Sequence, residues 1–511
     1  MKKVLSVLLG RMSLVTVLVV VQAALSALAI SYLSTQMLPL HVVLVLFSLL
    51  VVFWIGAKED NPTYKLAWIV PIMLFPLFGG LFYLLWGNKK MPKRDRLRML
   101  GYYRTQPSLF ARQDGHEQEL ARWDPHLARV ADYIFRTSGF PLEDSTQADY
   151  YPLGDDLFEP MVEDLRRARK FILMEYFIIE PGIMWDTILE VLKERAAAGV
   201  EVLLLYDDVG CLLTLPKEYR RQLQQSGIRT RVFNPFRARL TPAVNYRDHR
   251  KICVVDGNVG YCGGINLADE YINRKVRFGH WKDTAVRLEG AGVWNLTLMF
   301  FQIWRYLEQR ETGQTAPLDW YRPTVFPKGD GFVQPFGDSP LDRDNVAENS
   351  YLQLINRATR YVYITTPYLV LDNEVITALT VAAKSGVDVR IITPHIADKW
   401  YVHAVTRSAY PRLVRAGVKI YEYLPGFIHA KMIVSDDRVA MVGTTNMDYR
   451  SFYLHFECGV FFYGGTVVEK VRRDIESTLR LCHRFTLEEV RRIPARIRLA
   501  RMILNLFAPL M

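Results

Sequence analysis

The chain repeats itself, and the repeat limits the folds open to it. Phe171–Ile179 reads as a buried strand, Trp185–Ala198 as a helix, and Gly199-Val200 turns into a second strand, Glu201–Tyr206. Strand, helix and strand joined by short turns make a βαβ unit on a parallel sheet. The same word returns as Tyr361–Val370, Glu374–Ser385 and Gly386–Ile392. A duplication on this scale predicts two similar lobes. The Gly/Pro-rich stretch Thr312–Gly331 predicts the boundary between them.

Each copy later carries the same spaced set. The first holds His249, Lys251, Asp256, Gly263 and Asn266; the second holds His429, Lys431, Asp436, Gly443 and Asn446. Both read His-x-Lys-x4-Asp-x6-Gly-x2-Asn. A lone His-x-Lys says little, but two copies with identical spacing in matching places carry information. Residues i and i+2 of a strand share a face, so each His and Lys point the same way, into a cleft between the lobes. Two imidazoles can then flank one phosphorus. One attacks to form a phospho-histidine; the other protonates the leaving oxygen and later deprotonates the incoming alcohol. The catalytic set is therefore His249, Lys251, Asp256, His429, Lys431 and Asp436, in which Asp256 and Asp436 follow the strand near its turn and read as structural members. Lys251, Lys431, Asn266 and Asn446 can hold the non-bridging oxygens as charge develops. The positive charge comes from side chains, so the reading requires no metal and no cofactor.

A histidine nucleophile needs its other ring nitrogen oriented, commonly by a carboxylate. Asp283 opens a strand after the first motif, and Glu457 occupies the matching place after the second. If the lobes face each other, each carboxylate serves the opposite histidine: Glu457 to His249, and Asp283 to His429. Tyr206-Asp207-Asp208 lacks a third clustered ligand and is not read as a metal site.

The N-terminal part has another character. No Asp, Glu, Lys or Arg lies between Met12 and Ala57, nor between Leu66 and Asn88. A spanning helix needs about 20 apolar residues, so the first run is long enough for two spans, with a break near Gln36–His41 where Pro39 sits. Ala27-Leu28-Ala29 resembles a signal cleavage site, but the apolar stretch exceeds the usual core of about 7–15 residues. Lys89, Lys90, Lys93, Arg94, Arg96 and Arg98 follow the last run and argue for a cytoplasmic catalytic part. Lys2, Lys3 and Arg11 make the same demand at the other end, and the larger cluster is taken to decide.

Charge supports a membrane partner. The formal balance is +11, from 64 Lys+Arg against 53 Asp+Glu. Residues 88–98 and 491–501 together hold +10 of it, and both segments adjoin apolar sequence. The excess is thus two anchors for an anionic membrane, not a diffuse nucleic-acid surface. The segment Arg491–Phe507 mixes basic and apolar residues at helical spacing and predicts an interfacial helix. Phe300-Phe301-Gln302-Ile303-Trp304-Arg305-Tyr306 predicts a core-packed helix. Cys211, Cys253, Cys262, Cys458 and Cys482 form no CxxC pair, so neither a disulfide framework nor a zinc site is expected.

The paired motifs resemble the phospholipase D superfamily, and the fuller strings resemble bacterial cardiolipin synthases. They are Tyr246-Arg247-Asp248-His249-Arg250-Lys251, Gly263-Gly264-Ile265-Asn266-Leu267-Ala268-Asp269-Glu270-Tyr271, Thr366-Pro367-Tyr368, and Gly443-Thr444-Thr445-Asn446-Met447-Asp448-Tyr449-Arg450-Ser451-Phe452. The hairpin from Lys65 to Gly87 resembles that family's membrane segment. Leu369-Val370-Leu371 departs from the family, which often has an apolar residue and a proline there. The resemblance implies an α/β fold of two similar phospholipase D-like lobes with mixed or parallel sheets flanked by helices, plus N-terminal transmembrane helices. It implies a segment of two or three spans over 1–88, a basic linker over 89–110, a first lobe over 111–320, a second over 321–485 and a basic amphipathic helix over 486–511. It further implies a multi-pass bacterial membrane protein with its lobes on the cytoplasmic side. The expected reaction is phosphatidyl transfer from one phosphatidylglycerol to another, giving cardiolipin and glycerol, with His249 as nucleophile and His429 as acid/base. A hydrolase using water, or a transferase using other phospholipid donors, would share the same motifs; nucleic acid is not expected as a substrate.

Overall fold

The computed structural model describes residues 38–87, 96–97, 99, 107–110, 114–235, 246–312, 318–342 and 344–510. The first half of the Met12–Ala57 run and most of the basic cluster after Asn88 lie outside these residues. The chain divides into two compact units.

The smaller unit holds helices Leu38–Gly56, Pro62–Leu74 and Pro76–Trp86. Asn61 caps the second, its side chain accepting from Thr63 N at 2.9 Å. Val51, Ile55, Tyr64, Trp68, Ile72 and Tyr83 form its core. The expectation of a span over Leu66–Asn88 is corrected here. Phe75 leaves helical geometry, as a residue before proline tends to, and Pro76 starts a new helix. Thirteen residues at about 1.5 Å each reach about 20 Å, short of the ~30 Å hydrocarbon layer. Among the described residues no helix is long and apolar enough to cross a membrane. The two short helices approach closely at Gly79, where a Cβ would lie 2.6 Å from Ile72 Cα. Leu46, Leu50, Phe53, Leu66, Met73, Leu74 and Leu81 are exposed on this unit. The short turn Ala508–Leu510 belongs to it as well.

The larger unit contains both lobes. The first sheet is built from β1 (Thr146–Tyr151), β2 (Phe171–Tyr176), β3 (Glu201–Asp207), β4 (Arg229–Phe233), β5 (Lys251–Val255), β6 (Val259–Gly263) and β7 (Ala285–Gly290). The second comprises β8 (Phe332–Asp338), β9 (Tyr361–Thr365), β10 (Asp388–Pro394), β11 (Lys419–Tyr423), β12 (Met432–Ser435), β13 (Val439–Gly443), β14 (His455–Tyr463) and β15 (Cys482–Phe485). The first has order β1-β7-β6-β5-β2-β3-β4 and the second β8-β14-β13-β12-β9-β10-β11-β15, so β15 is the one addition to a repeated order. β2, β3 and β4 are parallel, as are β9, β10 and β11, while β5 and β12 run antiparallel to them. These are mixed sheets. Their central strands are buried on both faces, which accounts for their near-continuous apolar sequence.

Phe300, Phe301, Ile303, Trp304 and Tyr306 are buried on helix Val293–Thr312. Helices Asp114–Trp123 and Pro125–Ser138 precede the first sheet in sequence, yet the second of them bonds to the second lobe. Arg357 pairs with Asp124 at 3.0 Å, and Gln334 Nε2 donates to Ala131 O at 3.0 Å. The lobe divisions in space thus interleave where sequence order alone places 111–320 together. Helix Ala495–Leu506 has no buried residue and exposes Ile497, Leu499, Met502 and Ile503.

Two short parallel pairings join the lobes. Arg247–Asp248 pairs with His455–Phe456 of β14, and Gly426–Ile428 pairs with His280–Lys282. Each pairing ends where a motif histidine begins.

Candidate active site

The spacing within each motif is a strand length. From Lys251 the strand β5 runs to Val255, and Asp256 and Gly257 turn it back with φ of 54° and 73°. Asn258 N closes that turn onto Val255 O at 3.0 Å. Positive φ at both central residues is the hairpin geometry that Asp-Gly favours. The second motif turns alike at Asp436 and Asp437, with φ of 56° and 59°.

The lobe-joining strands set the histidines. Phe456 stands opposite Asp248, and one step on His249 N donates to Phe456 O at 2.9 Å. This register carries Glu457 against His249, whose Nδ1 lies 3.0 Å from both carboxylate oxygens. The other half repeats the arrangement. Ile428 stands opposite Lys282, His429 N donates to Lys282 O at 2.7 Å, and His429 Nδ1 lies 2.6 Å from Asp283 Oδ2. Each histidine is therefore oriented by a carboxylate of the other lobe, which leaves Nε2 of each for chemistry. Lys251 Nζ donates to His249 O at 2.5 Å; Lys431 Nζ donates to His429 O and lies 2.7 Å from His429 Nδ1. His249, Lys251, His429, Lys431, Asp283 and Glu457 are all buried.

Two similar lobes thus each complete the other's histidine–carboxylate pair. A family model described as "Cardiolipin synthase, PLD-like domain" matches residues 161–276 and 351–479, and one described as "Phospholipase D-nuclease N-terminal" matches residues 43–88. A protein of Geobacillus kaustophilus named cardiolipin synthase is 34% identical over 98% of this chain and 99% of its own. The chain belongs to the cardiolipin synthase family of the phospholipase D superfamily. An uncharacterized protein of Streptococcus mutans is 41% identical over 90% of this chain and 99% of its own. The crystal structure of a Haemophilus influenzae phosphatidylserine synthase shares the fold, with TM-score 0.58 at 15% identity, covering 75% of this chain and 99% of that one. The protein is a phospholipid phosphatidyltransferase.

The structure separates the motif aspartates from the histidines. Asp256 and Asp436 lie at the far ends of their strands, beyond the turn. Asp256 accepts from the backbone N–H groups of Arg169, Lys170 and Phe171 at 2.7–3.0 Å. Asp436 accepts from the N–H groups of Thr359, Arg360 and Tyr361 at 2.8–2.9 Å and from the Thr359 hydroxyl at 2.9 Å. They tie the hairpin to the start of the neighbouring parallel strand, so their place in the catalytic set is a positioning one. Asp436→Ala should cost about 3 kcal/mol, because several backbone donors lose a charged acceptor. The check is an earlier urea midpoint; lost activity with an unmoved midpoint would assign Asp436 to chemistry instead.

Asn266 is held rigidly: Oδ1 accepts from Ile178 N at 3.0 Å, and Nδ2 donates to the Tyr271 hydroxyl at 2.7 Å. Asn446 occupies the matching turn and is buried, with its backbone N–H bonded to Ser451 Oγ at 3.2 Å. Asp207 spends its carboxylate on Val209 N, Gly210 N, Asp248 N and Arg247, and so supports the strand leading into His249.

Other contributors were not visible from motif spacing. The Thr444 hydroxyl donates to Glu457, whereas its counterpart Gly264 admits no side chain, since a Cβ there would lie 2.1 Å from Asp283 Oδ1. Superposing Gly263-Gly264 on Gly443-Thr444 exposes this difference. Phe177 meets the His249 ring edge-on at 5.1 Å, and Tyr271, Trp281 and Phe427 surround that of His429 at 5.4–5.9 Å. Donor atoms of His249, His455 and Glu457 lie within 4.8 Å of one another, a separation that would suit a metal ion. Glu457 already commits its oxygens to His249 and Thr444, which reads as an orienting network.

Burial dominates the site's protonation. It holds both imidazoles well below their usual value, with the lysines adding to the effect. It also lowers Lys251 to about 8 and Lys431 to about 7, and raises Asp283 to about 6. The histidines are thus neutral at neutral pH, as a nucleophile requires. The lysines carry the phosphate-binding charge only while protonated. We expect kcat/KM, which reports the free enzyme, to fall from about pH 7 upward as the lysines titrate. The acid limb should lie below the ordinary histidine value of 6.5. Initial rates across pH check this, and a profile still rising at about pH 9 contradicts it.

Proposed function

We propose that this chain is a cardiolipin synthase that joins two phosphatidylglycerol molecules through a phosphatidyl-histidine and releases glycerol. The observation that carries the reading is the reciprocal pairing of His249 with Glu457 and His429 with Asp283. In the first step His249 Nε2 bonds to the phosphorus of one phosphatidylglycerol. The bond to the glycerol oxygen breaks, and His429, which takes up a proton on Nε2 as the anionic phosphodiester enters the site, gives that proton to the leaving oxygen. In the second step the free glycerol hydroxyl of another phosphatidylglycerol attacks. His429 takes its proton, and the P–N bond breaks with its electrons returning to the imidazole. Lys251, Lys431, Asn266 and Asn446 hold the phosphoryl oxygens in both steps.

A lipid alcohol is favoured over water because the site faces apolar surroundings at His429 and because the chain carries membrane-directed features. These are the exposed apolar residues of the N-terminal helices, the matched N-terminal family region and the basic helix Ala495–Leu506. On this reading the protein sits at the anionic bacterial cell membrane, with the lobes on the cytoplasmic side. Purified protein given liposomes of phosphatidylglycerol alone should yield diphosphatidylglycerol and an equal amount of glycerol. Phosphatidic acid as the main product would instead establish a hydrolase.

A further inference from the structure

The two half-sites differ where their motifs match. Ile179 bridges to Leu267 and Leu369 bridges to Met447, so Tyr368 stands where the first lobe has Ile178. In the first lobe Ile178 N occupies the Asn266 carbonyl. In the second, Asn446 Oδ1 is buried and has no hydrogen-bond partner among the described residues. The motif of the second lobe therefore holds an unused acceptor where that of the first holds a satisfied one.

The residue that stands in place of Ile178 holds a cation. The Tyr368 hydroxyl donates to Asp398 Oδ2 at 2.5 Å, and Lys399 Nζ donates to the same hydroxyl at 3.0 Å and to Asp398 at 3.2 Å. The Tyr368 ring packs against the apolar cluster that contains Tyr271, Trp281 and Phe427, the rings around His429. Asp398 and Lys399 both act electrostatically on His429. Unlike Lys251 and Lys431, which are buried, Lys399 is 48% exposed, and Trp400 beside it is also open to solvent. It can thus meet a charge that approaches the site from outside.

The chemistry of the second step calls for such a group. The attacking hydroxyl belongs to a lipid that carries its own phosphodiester three carbons away. Lys251 and Lys431 are occupied by the transferred phosphoryl group, so the second phosphate would otherwise arrive uncompensated beside the first. We infer that Lys399, held by Tyr368 and Asp398, binds the phosphodiester of the accepting lipid, and that Asn446 Oδ1 accepts from the acceptor glycerol's remaining hydroxyl. This inference rests on the transferase reading. It makes the second lobe the acceptor side: the acceptor oxygen bonds to phosphorus, the P–Nε2 bond to His249 breaks, and His429 takes the proton.

The test compares two acceptors on the full-length enzyme in phosphatidylglycerol liposomes. Diphosphatidylglycerol formation uses an acceptor with a phosphate. Exchange of labelled free glycerol into phosphatidylglycerol uses one without. Lys399→Gln should lower the ratio of synthesis to exchange about ten-fold, the effect of losing one charge-assisted hydrogen bond. Lys399→Arg should restore most of that ratio, and Tyr368→Phe, which removes the hydroxyl that holds the lysine, should lower it less. A wild-type ratio in both Lys399→Gln and Tyr368→Phe overturns the inference, as does a loss shared equally by the two reactions. Wild-type protein that exchanges glycerol but forms no diphosphatidylglycerol would instead refute the cardiolipin synthase reading itself.

Discussion

His249→Ala is expected to abolish phosphatidyl transfer, lowering the rate by about 10⁴-fold or more, because the covalent route then has no nucleophile. The neighbouring groups cannot substitute. His429 is tied to Asp283 on its own side of the centre, and Lys251 donates to the His249 carbonyl. The informative companion is His429→Ala. Here the first step still has its nucleophile but lacks the acid and, later, the base, so each step should slow by about 10²- to 10⁴-fold. With a donor whose leaving group needs no proton, the intermediate should then accumulate. Acid-quenched protein digested and weighed by mass spectrometry should carry the phosphatidyl group on His249. A label on His429 would exchange the two roles.

Glu457→Gln should cost about a thousand-fold in kcat with little change in volume. The carboxylate only accepts, so it holds the proton on His249 Nδ1 and leaves Nε2 with a lone pair. An amide can present its N–H₂ instead, which turns the imidazole to the other tautomer and blocks attack. The Thr444 hydroxyl also donates to Glu457, so its lone pair would be redirected by the same change. Asp283→Asn should act through His429 in the same manner, on proton transfer rather than attack. With a donor whose leaving group needs no proton, a burst of leaving-group release followed by slow turnover is therefore expected for Asp283→Asn and not for Glu457→Gln. Equal loss of the burst in both would show that the carboxylates do not divide the work by lobe.

Much of this centre could be read from residues alone, for a definite reason. Duplication supplies an internal control: a carboxylate, a lysine or an asparagine found twice at one offset is separated from chance. That logic reached His249, Lys431, Asp283 and Glu457, and it proposed the exchange of carboxylates between lobes. It could not reach groups that the lobes do not share. Thr444 replaces Gly264 and Tyr368 replaces Ile178, so symmetry conceals them. Nor could hydropathy separate a span from two short helices, because Phe75 is as apolar as its neighbours and the break comes from the backbone of Pro76. The helices at 114–138 escaped for a similar reason. Order along the chain suggests the first lobe, while Asp124 and Ala131 are engaged by Arg357 and Gln334 of the second.

The pairing of Arg247–Asp248 with β14 also bears on the birth of the protein. Glu457 lies 208 positions after His249 in the chain. At about 5–20 residues per second, a ribosome exposes the nucleophile many seconds before its partner exists. Through that interval the first lobe has an unoriented histidine and an unpaired strand edge. The nascent chain is therefore expected to open no phosphodiester until β14 has been made. A chain truncated before β14 would be silent as an enzyme rather than unregulated.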